Sequence, residues 1–287
     1  MTTTTPAPTL SLSDYSEEAR AARPQRLLFV EVRAFLAMLQ RDLLVARRDL
    51  LSNLVQWLML PALFLFILGN VLPITGVAAA GYGAFLLPGI VAMTLLSAAI
   101  LSVTVPLVMD IGNEREIEDR LLAPLPVAWV ALEKVLFSVL NSLVAGACVF
   151  PLAYLILGSS FQVRMDSLGV LIGLMILSAL AATSLGLAFG TAVKPEQIGV
   201  LNAVILTPIM FTGCAFFAWA ALVSIQWFQI VTLFNPLTYV VEGLRGAMLP
   251  AGYGSSLGIG WVLLGLVVTT AVFLSLGIRG FIRRAVR

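Results

Sequence analysis

Five stretches of this chain contain no Asp, Glu, Lys or Arg: residues 50–109, 135–163, 167–193, 197–241 and 246–278. No other feature limits the fold so tightly. A helix crosses a bilayer with about 20 apolar residues, since the hydrocarbon core is about 30 Å thick and each residue rises about 1.5 Å. The first stretch, of 60 residues, is too long for one span. It suits two, about 52–72 and 84–108, turning at Pro73-Ile74-Thr75-Gly76 and Gly81-Tyr82-Gly83. The second and third, of 29 and 27 residues, hold one span each, about 131–157 and 168–192. A span at about 258–279 follows the Gly252-Tyr253-Gly254 loop. The fourth, of 45 residues, holds a span at about 197–217. The segment after it, Trp219 to Pro250, is either a second span or a set of shorter helices dipping into the outer half of the membrane.

The basic residues decide between these. Short basic loops stay on the cytoplasmic side. Six spans gather the N-terminus, the 109–134 loop, the 193–197 turn and the C-terminus on one side, with 15 of the 17 Lys and Arg residues. Only Arg164 and Arg245 fall outside. A seventh span would send Arg279, Arg283, Arg284 and Arg287 outward and leave the helix-breaking pair Asn235-Pro236 at or near a span boundary. The expected fold is an all-α integral membrane protein of six transmembrane helices, both termini cytoplasmic, with an extracellular re-entrant segment over 219–249 before the last span. Composition agrees. Hydrophobic residues make up 60% of the chain and charged ones 11%, against roughly 25% charged in soluble domains.

The ends and loops carry the rest of the charge. Residues 1–25 are rich in Thr, Ser, Pro and Ala with no apolar core, which reads as a disordered cytoplasmic tail and not as a cleaved signal peptide. Over 26–50, Leu28, Val32, Phe35, Leu36, Leu39, Leu43 and Ala46 follow helical spacing, with Arg33, Arg41, Arg47 and Arg48 largely on other faces. Such a helix lies in the membrane interface. The loop over 110–134 is the most charged part of the chain, with six acids against Arg115, Arg120 and Lys134. Its charge fits a solvated loop and a docking surface for a soluble partner equally well. Prolines 61, 88, 106, 151 and 208 fall inside the expected spans, and Gly186 and Gly190 form a close-packing face for another helix, in this chain or in a second copy.

Several chemistries are excluded. The chain has no His, so imidazole metal sites and Ser-His or Cys-His catalytic pairs are absent. Cys148 and Cys214 sit in apolar stretches and read as small core thiols. No G-x-x-x-x-G-K-[ST] cradles a nucleotide. No lone mid-membrane carboxylate or lysine offers an ion-coupled path. Neither a metal-ligand cluster nor a catalytic constellation is visible. What remains is a polytopic protein with no energy source of its own and a charged cytoplasmic loop. Driven transport by a separate motor fits this, as does a membrane scaffold or assembly factor that binds a cytoplasmic partner without transport.

Two blocks sharpen the choice. The C-terminal one runs through Phe211–Phe217, Gln226–Gln229, Asn235-Pro236-Leu237-Thr238-Tyr239 and Val241–Arg245. It resembles the signature of ABC-2-type permeases, the membrane subunits of ABC exporters. The other, Asn113-Glu114-Arg115-Glu116 followed by Arg120–Leu125 and Lys134, resembles that family's coupling-helix region. The resemblance covers the chain from about residue 30 and is closest to the drug-resistance and nodulation-factor exporter branch. Ile117-Glu118-Asp119 and Ala218 depart from the usual pattern.

The resemblance implies a permease in the bacterial cytoplasmic membrane that pairs with a second copy as a homodimer and recruits two ATPase subunits. Those subunits, not this chain, would bind ATP and Mg. Glu114, Arg115, Glu116 and Arg120 would couple to them. Substrates would pass outward between the permeases, and no nucleic acid is involved. Within 219–249, Trp219 and Trp227 suit the membrane–water interface, and Asn235 before Pro236 is a good helix start. Glu242 and Arg245, three apart, can pair on one face beside Tyr239. Asn53, Gln56, Trp57, Asn202, Thr207 and Thr212 would give a mostly apolar path with sparse hydrogen-bonding groups, suited to a drug, a lipid or a lipid-linked glycan. The same residues would serve equally as contacts between helices.

Overall fold

The computed structural model describes residues 31–79, 81–112, 127–250 and 257–285. The tail over 1–25 and the coupling residues Glu114, Arg115, Glu116 and Arg120 lie outside the described residues. Among those described, the chain is helical nearly throughout and has no strand. In chain order, α1 covers 31–48, α2 Leu50–Ile74, α3 Tyr82–Gly112, α4 Val127–Leu157 and α5 Leu168–Ala192. Then come α6 over 198–212, α7 Gln226–Leu233 after a 3-10 turn at Trp219–Ile225, α8 Pro236–Met248 and α9 Ile259–Ala285. Helices α2, α3, α4, α5 and α9 are each long and apolar enough to cross a membrane. The protein is an all-α integral membrane protein.

The segment expected as a span over 197–217 differs. Its helix stops at Thr212 after a rise of about 22 Å, and residues 213–217 complete the segment in non-helical backbone. From Gly213 to Phe217 the backbone leaves the helix, with Cys214 in the left-handed region at φ 58°. Helices α7 and α8 follow as a bent pair, turned through 110° at Phe234-Asn235. A turn beyond a right angle carries the chain back toward the side it came from. Contacts agree, since Trp219 at the start and Leu257 after the end both reach Glu242 of α8. The pair is a re-entrant hairpin.

Helix α3 is the axis of the bundle. Leu86, Leu87, Ile90, Leu95, Leu96 and Ile100 are fully buried along it, and α2, α4, α5 and α8 pack around it. Helix α9 covers the far side of α5. Small residues set these distances. A Cβ on Gly186 of α5 would fall 2.8 Å from the Ile100 Cα of α3, and one on Gly190 3.3 Å from that of Thr104. The Gly186-Gly190 face is thus spent inside the chain. Thr104 donates to the Gly186 carbonyl at 2.8 Å, and Ser138 of α4 contacts Ser102 of α3 at 2.7 Å and Thr183 of α5 at 3.2 Å. At about 0.6 kcal/mol each in a membrane, these bonds fix register more than they add stability.

Helix α1 lies against the bundle on a different face from the one its apolar spacing suggests. Ala34, Phe35, Met38, Leu39, Asp42 and Ala46 are its half-buried positions, and Phe35 meets Trp129 of α4 edge to face. Val32, Leu36 and Leu43 point outward and are exposed. Two apolar faces, one on protein and one open, suit a helix lying in the interface.

Because Gly186 abuts backbone, Gly186→Ala should lower stability by about 1–3 kcal/mol through overpacking. Gly173→Ala on the same helix meets nothing within 4 Å. It should be neutral or gain up to about 1 kcal/mol from helix propensity. Thermal unfolding of the detergent-solubilised protein at one scan rate would separate them; equal midpoints would refute the contact.

Candidate functional site

The unwound stretch 213–218 packs against α3, where its buried backbone carbonyls need internal donors. Arg245 of α8 supplies them. Its Nη2 donates to the Cys214 carbonyl at 3.0 Å and its Nη1 reaches that of Phe217 at 3.5 Å. Tyr82, at the start of α3, donates to the Phe216 carbonyl at 2.8 Å. Gly89 of α3 lets the Ala215 backbone lie directly against that helix, where any Cβ would collide.

The cation that does this is itself buried. Arg245 and Glu242 are both 0% exposed and joined at 2.6 Å, as their three-residue spacing allows. The guanidinium lies 4.2 Å from the Phe85 ring centroid, a cation–π contact. Glu242 in turn accepts from the backbone N–H of Trp219 and of Leu257, each at 3.4 Å. The pair thus holds four backbone positions from two separate segments.

The hairpin's tip is secured by Asn235. Its Oδ1 caps α8 by accepting from the Leu237 N–H at 2.9 Å, and Pro236 occupies the first helical turn. Its Nδ2 donates to the Ile209 carbonyl at 2.7 Å and to Thr212 Oγ1 at 2.9 Å. Tyr239 donates to the Leu233 carbonyl at 2.8 Å and stacks over Gly265 of α9. Trp219 and Gln229 exchange bonds at 3.3 Å, each side chain donating to the other's carbonyl. Thr212 belongs to this outer lock and does not line the cavity described next.

A groove runs between α2, α3 and α6. Its wide end, about 820 Å³, is also walled by α1 and α4, and its narrow end holds about 530 Å³. Gln56, Trp57, Leu101 and Asn202 line both, so the two are continuous. Asn53 lies at the wide end and Thr207 at the narrow one. The narrow end is apolar, with Leu60, Phe64, Met93 and Met210. The hydroxyls of Thr94, Ser97 and Thr207 there are taken up by carbonyls of their own helices. The wide end adds charged groups, Arg41, Asp42, Asp49 and Lys134. Among the described residues the side-chain amides of Asn53, Gln56, Asn141 and Asn202 make no hydrogen bond, leaving them for a ligand. Asn202 opens a π-helical turn, Asn202–Leu206, and α2 carries another at Ile67–Val71. Such turns occur often at functional sites.

Lys134 and Glu133 are corrected in place. Read from sequence as part of the charged loop, they lie buried within α4, and Lys134 binds Asp42 of α1 at 2.8 Å. Helix α4 can begin at Val127 because this charge is met by protein and not by lipid. Sequence reasoning missed Asp42, Asn141, Tyr82 and Phe85. Only the placement of Asp42 on the packed side of α1 could have signalled any of them.

A spanning bundle with an unwound, side-chain-clamped outer segment and a lateral amphipathic groove defines the membrane component of a transporter. Residues 33–249 match the ABC-2 type transporter family, and the chain belongs to it. No curated protein matches the chain. The family makes this chain the permease subunit of an ABC transporter, a transmembrane component that is not itself catalytic, and implies an ABC ATPase partner.

Removing one member of a buried ion pair strands the other, at about 3–5 kcal/mol. Arg245→Ala should therefore be strongly destabilising. Glu242→Leu with Arg245→Met should lose less, though not nothing, because the Cys214 and Phe217 carbonyls still lose their donor. Thermal midpoints of the purified variants test this order; a double variant worse than Arg245→Ala would contradict it.

Proposed function

We propose that the protein is the membrane half of an ATP-driven exporter for amphipathic substrates. The observation that carries this is the groove's uneven lining, with Arg41, Asp42, Asp49 and Lys134 at one end and Leu60, Phe64, Met93 and Met210 at the other. A substrate with a polar head and a lipophilic body, whether drug, lipid or lipid-linked glycan, matches both ends at once. The path residues Asn53, Gln56, Trp57, Asn202 and Thr207 all border that groove. Helices α2 and α6, which flank it, bury little of their surface. Val55, Met59, Val204 and Phe211 stay exposed, which supports a second copy closing the path as a homodimer.

Two ATPase subunits, binding ATP and Mg, would dock on the face that carries the 110–130 loop. The charge distribution supports placing that face and both termini in the cytoplasm, and the family resemblance supports the cytoplasmic membrane of a bacterium. Movement of the loop would reach the groove through α3 and α4, which begin or end at that loop and wall the groove. The Glu242–Arg245 lock and the hairpin would cap the outer end of the path, and outward transport follows the family resemblance.

An exposed ion pair is worth only about 0–1 kcal/mol, so a merely solvated loop would tolerate charge reversal. A docking loop would not, since like charges across an interface cost several kcal/mol and about 1.4 kcal/mol is tenfold in binding. Glu114→Lys with Glu116→Lys should abolish substrate-stimulated ATPase activity and reduce co-purification of the ATPase, while membrane insertion is unchanged. Normal co-purification and normal turnover would remove the loop's role.

A further inference from the structure

The charges of α1 divide between two faces. Arg41 and Asp42, with Lys134 of α4 and with Asp49 just beyond the helix end, border the groove. They are two of each sign, so that set carries no net charge. Glu31 lies half-buried on the packed side, and Arg48 is followed at once by Asp49. Arg33 and Arg47 stand apart. Both are exposed, neither lines the groove, and among the described residues neither makes an ion pair or a side-chain hydrogen bond.

The two arginines share a face. Seven residues make nearly two full helical turns, with a drift of about 20°, so Arg33, Gln40 and Arg47 fall in one row. Leu36 and Leu43, three residues after Arg33 and Gln40, lie beside that row, 55% and 40% exposed. The packed positions Phe35, Met38 and Asp42 lie on the opposite side of the helix. A basic row edged by exposed leucines is thus turned away from the bundle.

Two features of this face name its partner. Exposed leucines beside arginines fit hydrocarbon under a layer of negative charge, since an arginine stem can lie along apolar surface while its guanidinium reaches a headgroup. The chain also passes through a single bend at Asp49 straight into α2, which is long and apolar enough to cross a membrane. The end of α1 is therefore tied to the bilayer surface.

We propose that the row of Arg33, Gln40 and Arg47 binds the phosphate headgroups of anionic phospholipids and seats α1 on the leaflet. Because α1 also walls the wide end of the groove, the charge of that leaflet holds the wall in place. The proposal does not depend on reading the groove as a substrate path.

A tryptophan placed in the row reads its lipid neighbours. Full-length Gln40→Trp is reconstituted into phosphatidylcholine vesicles holding a minor share of phosphatidylglycerol, with bromine on the chains of one lipid or the other. Subtracting the wild-type signal leaves the quenching at position 40, which gives the local share of each lipid. At low ionic strength phosphatidylglycerol should be enriched there roughly fivefold or more over its bulk share, and about 1 M salt should remove most of the enrichment. Built on Gln40→Trp, Arg33→Gln with Arg47→Gln should abolish it. Arg33→Lys with Arg47→Lys should keep it, since the charge is retained. A helix that merely lies in the interface predicts no enrichment in any of these proteins.

No enrichment in Gln40→Trp, or enrichment that survives both glutamines or high salt, would overturn the proposal. Both arginines are exposed, so the glutamine variant should keep its thermal midpoint; if it does not, the salt series on Gln40→Trp alone decides. Loss of ATPase co-purification by the glutamine variant with its lipid preference intact would give this face to the partner subunit and equally overturn the lipid assignment. No ATPase is present in the vesicles, so failure here is distinct from failure of the loop-reversal test of the exporter reading.

Discussion

One guanidinium holds the segment between α6 and α9 together. Where the helix of 198–212 ends, the chain leaves buried carbonyls that need internal donors. Arg245 takes two of them and Tyr82 a third, while Glu242 neutralises the arginine and gathers two N–H groups from segments on either side. A positive charge buried this completely is costly alone. It is tolerable because carboxylate, carbonyls and the Phe85 ring replace the water it gave up. The hairpin is held where these partners meet, although the buried Arg245 Nε has no hydrogen-bond partner among the described residues.

That lock contrasts with the groove beside it. Helices α3, α4, α5 and α9 meet through small residues and short polar bonds, at distances that leave no room for added atoms. Helices α2 and α6 are different, with broad exposed apolar faces and a π-helical turn in each. A transporter needs both kinds of part, a rigid reference and a wall able to move. The division falls along the groove, which has the tight core on one side and the two lightly packed helices on the other.

Polarity within the groove follows from local chemistry. Hydroxyls on helices can bond a carbonyl about one turn back, four residues for Thr94, three for Ser97 and five across the π-turn for Thr207, so all three are already bonded. Carboxamides of Asn and Gln do not close on their own helix here, so Asn53, Gln56, Asn141 and Asn202 stay open. Hydroxyl and carboxamide side chains therefore behave differently along the groove, the first closed on their own helices and the second open. The family assignment and the groove meet on this point, since a permease without its own energy source contributes chiefly a shaped path.

Much of the fold was legible in the chain alone, because partition into a membrane depends on composition over about 20 residues and on the count of Lys and Arg in loops. The all-α membrane class, the break at Asn235-Pro236 and the pairing of Glu242 with Arg245 are all local, set by spacing along one helix. Tertiary structure alone decided the rest. That α6 stops at Thr212 depends on Arg245, Tyr82 and Asn235 receiving its end, and that Lys134 lies inside α4 depends on Asp42, 92 residues away. Neither leaves a periodic trace, because a contact between distant segments is created by packing, and the residues that make it are chosen for geometry that no single helix contains.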